Sequence, residues 1–228
     1  MYPRSPKSPS REHLSEAIMN DFSLDRSNIP GVVLAGGRSS RMGRDKASVQ
    51  LSGRTLLERV VEQLEPQVSI LAVNADATPE NCRHLFIPDI VPGKAGPMAG
   101  IHAAMAYGAT LGGVTHVVTV SVDSPFFPRD LVDWLAAAID GPEKIAIAAS
   151  EGRSHPVFGL WPLKLADDLE AWIATDEKRR VRDFLLRHDV TEVAFPLRPT
   201  RASLLDPFFN VNTPDDLAEA ERWLRVLV

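Results

Sequence analysis

The fourteen residues from Val33 to Lys46 read VLAGGRSSRMGRDK: an apolar run breaks into two glycines, then into three arginines and a closing Asp45-Lys46. Glycine lets backbone N–H groups come close to anionic oxygens, and fixed cations balance their charge, so this composition suits a polyphosphate. The plainer alternative is a glycine turn leaving a strand, with solvated arginines behind it. The stretch lacks both G-x-x-x-x-G-K-[ST] and G-x-G-x-x-G, so it is neither an ATPase loop nor a dinucleotide fingerprint. What remains is a long basic loop able to fold over a triphosphate.

Other residues could join such chemistry. Asp123, in SVDSP at 121–125, suits a carboxylate ligand for Mg²⁺, which prefers oxygen donors and commonly bridges a carboxylate to substrate phosphates. It could equally initiate the helix expected after Pro128. Asp89 beside Pro88 and Asn74 in VNAD each read as turn residues or as ligand contacts. His155, with no visible partner, is a general base or, the preferred reading, a packed polar residue. Lys178, Arg179, Arg180 and Arg182 open a helix and fit a solvated face. Asn210 and Asn212 flank Val211, so an extended backbone would turn both amides to one side.

The elements that must position these residues follow a βα rhythm. Gly31–Ala35, Val68–Val73, His116–Val120, Lys144–Ala149, Pro156–Leu160 and Val190–Phe195 read as strands. Arg54–Glu65, Pro97–Gly108, Arg129–Ile139, Leu163–Ala174, Val181–Arg187 and Pro214–Leu224 read as helices. The expected architecture is a single three-layer α/β/α domain over 29–228 with a mostly parallel, Rossmann-like sheet. Residues 1–28, rich in proline, serine and mixed charge, read as a flexible tail. In such sheets ligands bind beyond the carboxyl ends of the strands. That rule selects the loops after Ala35, Val73, Ile87 and Val120, which carry Gly36-Gly37, Asn74, Asp89 and Asp123.

Composition narrows the field. At 228 residues and 44% hydrophobic content the chain can bury a sizeable core. A formal net charge of −5 argues against nucleic acid held by bulk electrostatics, so an anion must be bound locally. The single cysteine, Cys82, allows neither an internal disulfide nor a thiolate zinc cluster and fits the reducing cytoplasm. No apolar run reaches membrane-spanning length, and the first twenty residues lack a secretory core. The expectation is a soluble cytoplasmic protein binding neither nucleic acid nor membrane.

LAGG at 34–37 followed by R-S-S-R-M-G and D-K resembles the molybdenum cofactor guanylyltransferases, a nucleotidyltransferase family. The resemblance runs on through P-D-I-V at 88–91, G-P-M-A-G at 96–100, S-V-D-S-P at 121–125 and H-P-V-F-G-L at 155–160. Its most specific match is D-P-F-F-N-V-N-T-P-D-D-L at 206–217. One departure is that only Arg44 separates Gly43 from Asp45, where some members carry an extra residue.

The resemblance implies transfer of GMP from GTP to the terminal phosphate of molybdopterin, with Mg²⁺ held by Asp123. It implies that Gly36, Gly37 and Arg41 cradle the phosphates, that Lys46 neutralises charge on the α-phosphate and departing pyrophosphate, and that Leu34 and Ala35 lie by the guanine. Asn74 and Asp89 would be nucleotide contacts. Arg179 or Arg180, with Asn210 and Asn212, would face the pterin acceptor. Molybdenum-insertion proteins and molybdoenzyme chaperones are the candidate protein partners. A CTP-dependent enzyme of the same fold and a non-catalytic nucleotide- or cofactor-binding protein remain the alternatives.

Overall fold

Valine, isoleucine and alanine fill both faces of the central strands, as a sheet covered on two sides requires. The computed structural model describes residues 22, 24–36, 46–75, 83–91, 96–175 and 180–227. In chain order these form β1 (Gly31–Leu34), β2 (Gln50–Leu51), β3 (Arg54–Thr55), α1 (Leu56–Leu64), β4 (Leu71–Asn74), β5 (Leu85–Ile87), α2 (Pro97–Ala109), β6 (His116–Ser121), α3 (Leu131–Ala137), β7 (Ile145–Ser150), β8 (Arg153–Pro162), α4 (Ala166–Thr175), α5 (Val181–Leu185), β9 (Val190–Ala194), β10 (Arg198–Pro199), β11 (Leu204–Leu205) and α6 (Pro214–Val226). The sheet has seven strands in the order β5-β4-β1-β6-β8-β7-β9. β8 runs antiparallel to both its neighbours, and the other pairings are parallel.

The expected α/β/α layering is present. Leu57, Val60 and Leu64 of α1 and Leu131 and Leu135 of α3 pack on one face of the sheet with Val33, Val73 and Val120. Met98, Ile101 and Met105 of α2, with Leu169 and Ile173 of α4, cover the other face over Val32, Leu34 and Ala72. Nine residues of α2 are buried, because α4 covers it from outside; an apolar helix without a polar stripe needs such cover. A third cluster joins Val49, Leu51, Leu56, Phe126, Val211 and Ala220, tying α6 to the β2–β3 hairpin. No described helix is long and apolar enough to cross a membrane.

Differences from the sequence reading are local. The helix expected from Arg54 begins at Leu56, where Thr55 and Glu58 form a capping box. Pro66 sits in a one-turn 3-10 helix that delays the next strand to Leu71. The flexible tail expected over 1–28 lies largely outside the described residues, but Phe22 and Leu24 pack on the core and Asp25 caps a 3-10 turn over Arg26–Asn28. The short pairs β2–β3 and β10–β11 have too few residues to show a period of two.

β8 carries an irregularity that matters for the site. Ile147 pairs with Gly159 while the next residue, Ala148, pairs with His155, so 156–158 bulge from the ladder at Pro156, which has no N–H to give. The bulge frees the Val157 carbonyl, which accepts from the Thr119 hydroxyl at 2.7 Å; Thr119 Oγ1 in turn accepts from Trp161 Nε1 at 3.0 Å. A Cβ on Gly159 would stand 2.8 Å from that indole nitrogen and 3.0 Å from the Pro156 carbonyl, so only glycine fits there.

Two outcomes follow from this packing. Thr119→Val leaves a buried carbonyl and a buried indole N–H unpaired and should destabilise the fold by about 2 kcal/mol in urea titration, with Thr119→Ser near wild type. His116, 1% exposed against Phe22, is the second case. Burial pushes its imidazole from 6.5 down to about 4. The unfolded chain therefore takes up a proton below pH 6.5 that the native state refuses. Stability should fall as pH drops from 6.5 to 4, by on the order of 3 kcal/mol from this group, and His116→Gln should flatten that part of the pH–stability curve.

Candidate active site

Three chain segments meet beyond the carboxyl ends of β1 and β6. Lys46 opens a 3-10 turn that follows the basic loop, Asp123 follows β6, and Asn212 precedes α6. Lys46 Nζ donates to Asp123 Oδ2 at 2.7 Å and to Asn212 Oδ1 at 2.5 Å. Ser121 Oγ donates to the other oxygen, Asp123 Oδ1, at 2.6 Å. The Lys46 and Asp123 side chains are 22% and 15% exposed, enough screening from water for the ion pair to exceed a surface one.

The segment from Asp206 to Thr213 is laced to the sheet at several points. The Val211 N–H donates to the Asp123 carbonyl at 2.7 Å, and Ser124 Oγ donates to Asn210 Oδ1. Thr213 caps α6, with Asp216 completing a capping box and Pro214 in the first turn. Burial pushes the Asp216 carboxyl up, but the Asn212 amide, the Thr213 hydroxyl and amide and the Lys46 charge outweigh it and hold the group below the usual carboxylate range. Asn212 joins the Lys46 group, and Asn210 accepts from the neighbouring Ser124.

On the nucleotide side of the expected site, Asn74 organises rather than projects. It is 2% exposed, and its Nδ2 donates to the Ile87 carbonyl at 3.2 Å and to Asp89 Oδ1 at 3.0 Å. A Cβ on Gly100 would lie 2.6 Å from Asn74 Oδ1 and 3.2 Å from Leu34, so the glycine of α2 makes room for this amide. Both Ala35 and Gly36 N–H groups donate to the Asn74 carbonyl, at 2.9 and 3.0 Å. The Gly36 amide, expected at a phosphate, here donates to the Asn74 carbonyl. Leu34 and Ala35 are buried at the end of β1. Gly37, Arg41 and Arg179 lie outside the described residues. Arg180 stands exposed at the N-cap of α5, and no contact to Lys46, Asp123 or Asn212 is found for it among the described residues.

Sequence reasoning passed over a second polar group at the tip of the β7–β8 hairpin. His155 Nε2 and Ser150 Oγ lie 2.7 Å apart, and Ser150 Oγ donates to Asp206 Oδ1 at 2.8 Å. The same carboxylate oxygen accepts the Phe208 N–H at 2.9 Å, and the His155 ring stacks on Phe208 with centroids 4.6 Å apart. Burial holds the His155 imidazole below its ordinary range; Asp206 opposes that shift and Arg153 adds to it. The signal was present in D-P-F-F, where an aspartate two residues before a buried phenylalanine forms an Asx turn.

No group of three or more His, Cys, Asp or Glu able to hold a metal occurs among the described residues. Asp123, which pairs with Lys46, fits an ion held jointly by a carboxylate, water and substrate phosphates rather than a protein cage.

Comparison with known proteins places this geometry in a lineage. Residues 31–192 match the family described as the MobA-like NTP transferase domain. The molybdenum cofactor guanylyltransferase of Rhizobium johnstonii is 73% identical over 92% of this chain and 99% of its own, and that of Rhizobium rhizogenes 54% identical over 92% and 98%. Among solved structures, molybdopterin-guanine dinucleotide biosynthesis protein A from Archaeoglobus fulgidus superposes with a TM-score of 0.66 at 26% identity, covering 86% of this chain and 99% of that one. The chain is a nucleotidyltransferase and belongs to the molybdenum cofactor guanylyltransferase family.

Proposed function

We propose that the protein transfers GMP from GTP to the terminal phosphate of molybdopterin, yielding the guanine dinucleotide cofactor and pyrophosphate. The observation that carries this reading is the Lys46–Asp123–Asn212 group, a cation shared between the segment that follows the basic loop and the segment resembling the family's acceptor signature. An oxygen of the acceptor phosphate attacks the α-phosphorus of GTP; the new P–O bond replaces the bond to the bridging oxygen, which leaves with pyrophosphate. The nucleophile is already anionic, so no general base is needed, and the protein's task is positioning and charge neutralisation.

Lys46 is suited to neutralise charge on the α-phosphate and on the leaving pyrophosphate, moving its ammonium from Asp123 to phosphate oxygens as substrate arrives. Ser121 keeps the Asp123 carboxylate aimed at the mouth. Asp123, relieved of Lys46, is the residue that would hold Mg²⁺, which when bound supplies further neutralisation of the phosphates. Asp89, fixed by Asn74, and the basic loop with Arg41 form the nucleotide wall. Asn210, Asn212, Arg179 and Arg180 are assigned to the acceptor side. Proteins that insert molybdenum or receive the product are candidate partners.

The test is product analysis after mixing the protein with molybdopterin, Mg²⁺ and each nucleoside triphosphate in turn. The guanine dinucleotide and pyrophosphate should appear with GTP; product from CTP alone would overturn the base assignment, and no product from any would overturn the reaction. Lys46→Ala should lower turnover by about 10²- to 10³-fold with unchanged circular dichroism, as for loss of a transition-state contact. Asp123→Asn should raise the Mg²⁺ concentration for half-maximal rate by about tenfold, since a charged oxygen ligand becomes neutral; an unchanged metal requirement would remove Asp123 from that role.

A further inference from the structure

Asp206 begins the segment that ends in Asn210 and Asn212, and its only described partners outside that segment are on the β7–β8 hairpin. The Ser150 hydroxyl has one proton, and it goes to Asp206 Oδ1. The contact of Ser150 Oγ with His155 Nε2 therefore has the ring as donor: the neutral imidazole carries its proton on Nε2. The chain of donors runs one way, from imidazole to hydroxyl to carboxylate. Ser150 is 2% exposed, so its hydroxyl has little water to turn to. The Oδ1 that receives the hydroxyl also holds the Phe208 N–H, which sets the turn leading to Asn210.

We propose that His155 is a positioning residue for the acceptor half of the site: by orienting the Ser150 hydroxyl toward Asp206 it fixes the turn at 206–208 and with it Asn210, while the Thr213–Asp216 cap holds Asn212 by itself. This rests on the acceptor assignment made above. The bulge at Pro156 serves the same end, because it breaks the ladder immediately after His155 and leaves that residue paired opposite Ala148, two residues before Ser150. Stacking on Phe208 and hydrogen bonding through Ser150 are separable contributions of the one ring.

The experiment uses His155→Phe, which keeps a ring on Phe208 and removes the donor, His155→Gln, which keeps a donor near the Nε2 position, Ser150→Ala, and the double variant S150A/H155F. In steady-state kinetics the KM for molybdopterin should rise about tenfold in Ser150→Ala and several-fold in His155→Phe, while the KM for GTP and kcat stay within about twofold. His155→Gln should return the acceptor KM toward wild type. The double variant should match Ser150→Ala alone, because both residues act through one chain of donors. Hydrogen exchange at the Phe208 and Val211 amides, measured without substrates, should quicken by about tenfold in His155→Phe.

Equal rises in both KM values, multiplying effects in the double variant, or wild-type kinetics and exchange in His155→Phe would each overturn the proposal. An inactive wild type would instead count against the assigned reaction, and the exchange measurement would then decide on the clamp by itself.

Discussion

A lysine ammonium held between a carboxylate and a carboxamide is the constraint around which this molecule is arranged. Lys46, Asp123 and Asn212 come from distant parts of the chain, and each is delivered by a different device: a 3-10 turn, the end of a central strand, and the approach to a capped helix. Partly withdrawn from water, the charge attracts its partners more strongly than at the surface, yet it stays exposed enough to be transferred to an incoming anion. The Thr213–Asp216 cap and the Val211 amide then hold Asn212 where the ammonium can reach it. In the reaction proposed above, phosphate oxygens would take the places that one carboxylate oxygen and one amide oxygen hold around the ammonium here.

The same economy governs the nucleotide side. Asn74 binds nothing from solution with its Nδ2; it fastens β1 to β4 through its carbonyl and Asp89 to β4 through its amide. Gly100 makes this possible by having no side chain. The helix α2 therefore approaches the sheet so closely that a single methyl group would displace Asn74, and the orientation of Asp89 depends on that close approach.

Much of this was legible in the sequence because period and end signals are local. Valine-rich strands and the proline that opens α6 announce themselves within a few residues, whereas the Thr55–Glu58 capping box starts α1 two residues later than the apolar period alone places it. Asp123 was found from residue type at a strand end and Lys46 from the basic loop and the family resemblance, and the structure brings them to 2.7 Å. What stayed hidden was pairing over distance. Nothing near Asn212 indicates that its oxygen meets Lys46. Nothing near His155 reveals Ser150 and Asp206. Nor does a glycine after a strand reveal that a neighbouring strand's carbonyl accepts from its amide, as that of Asn74 does from Gly36.

The Lys46–Asn212 bond spans 166 residues, and the part of the chain that matches the shared domain, 31–192, stops before Asn212. Contacts of such long range close late, after the sheet has brought its ends together. The sheet can thus take shape during synthesis while the lysine still lacks its amide partner, which arrives only with the segment leading into α6. A chain truncated before Asn212 would keep the whole matched domain and still leave the Lys46–Asp123 pair without this carboxamide.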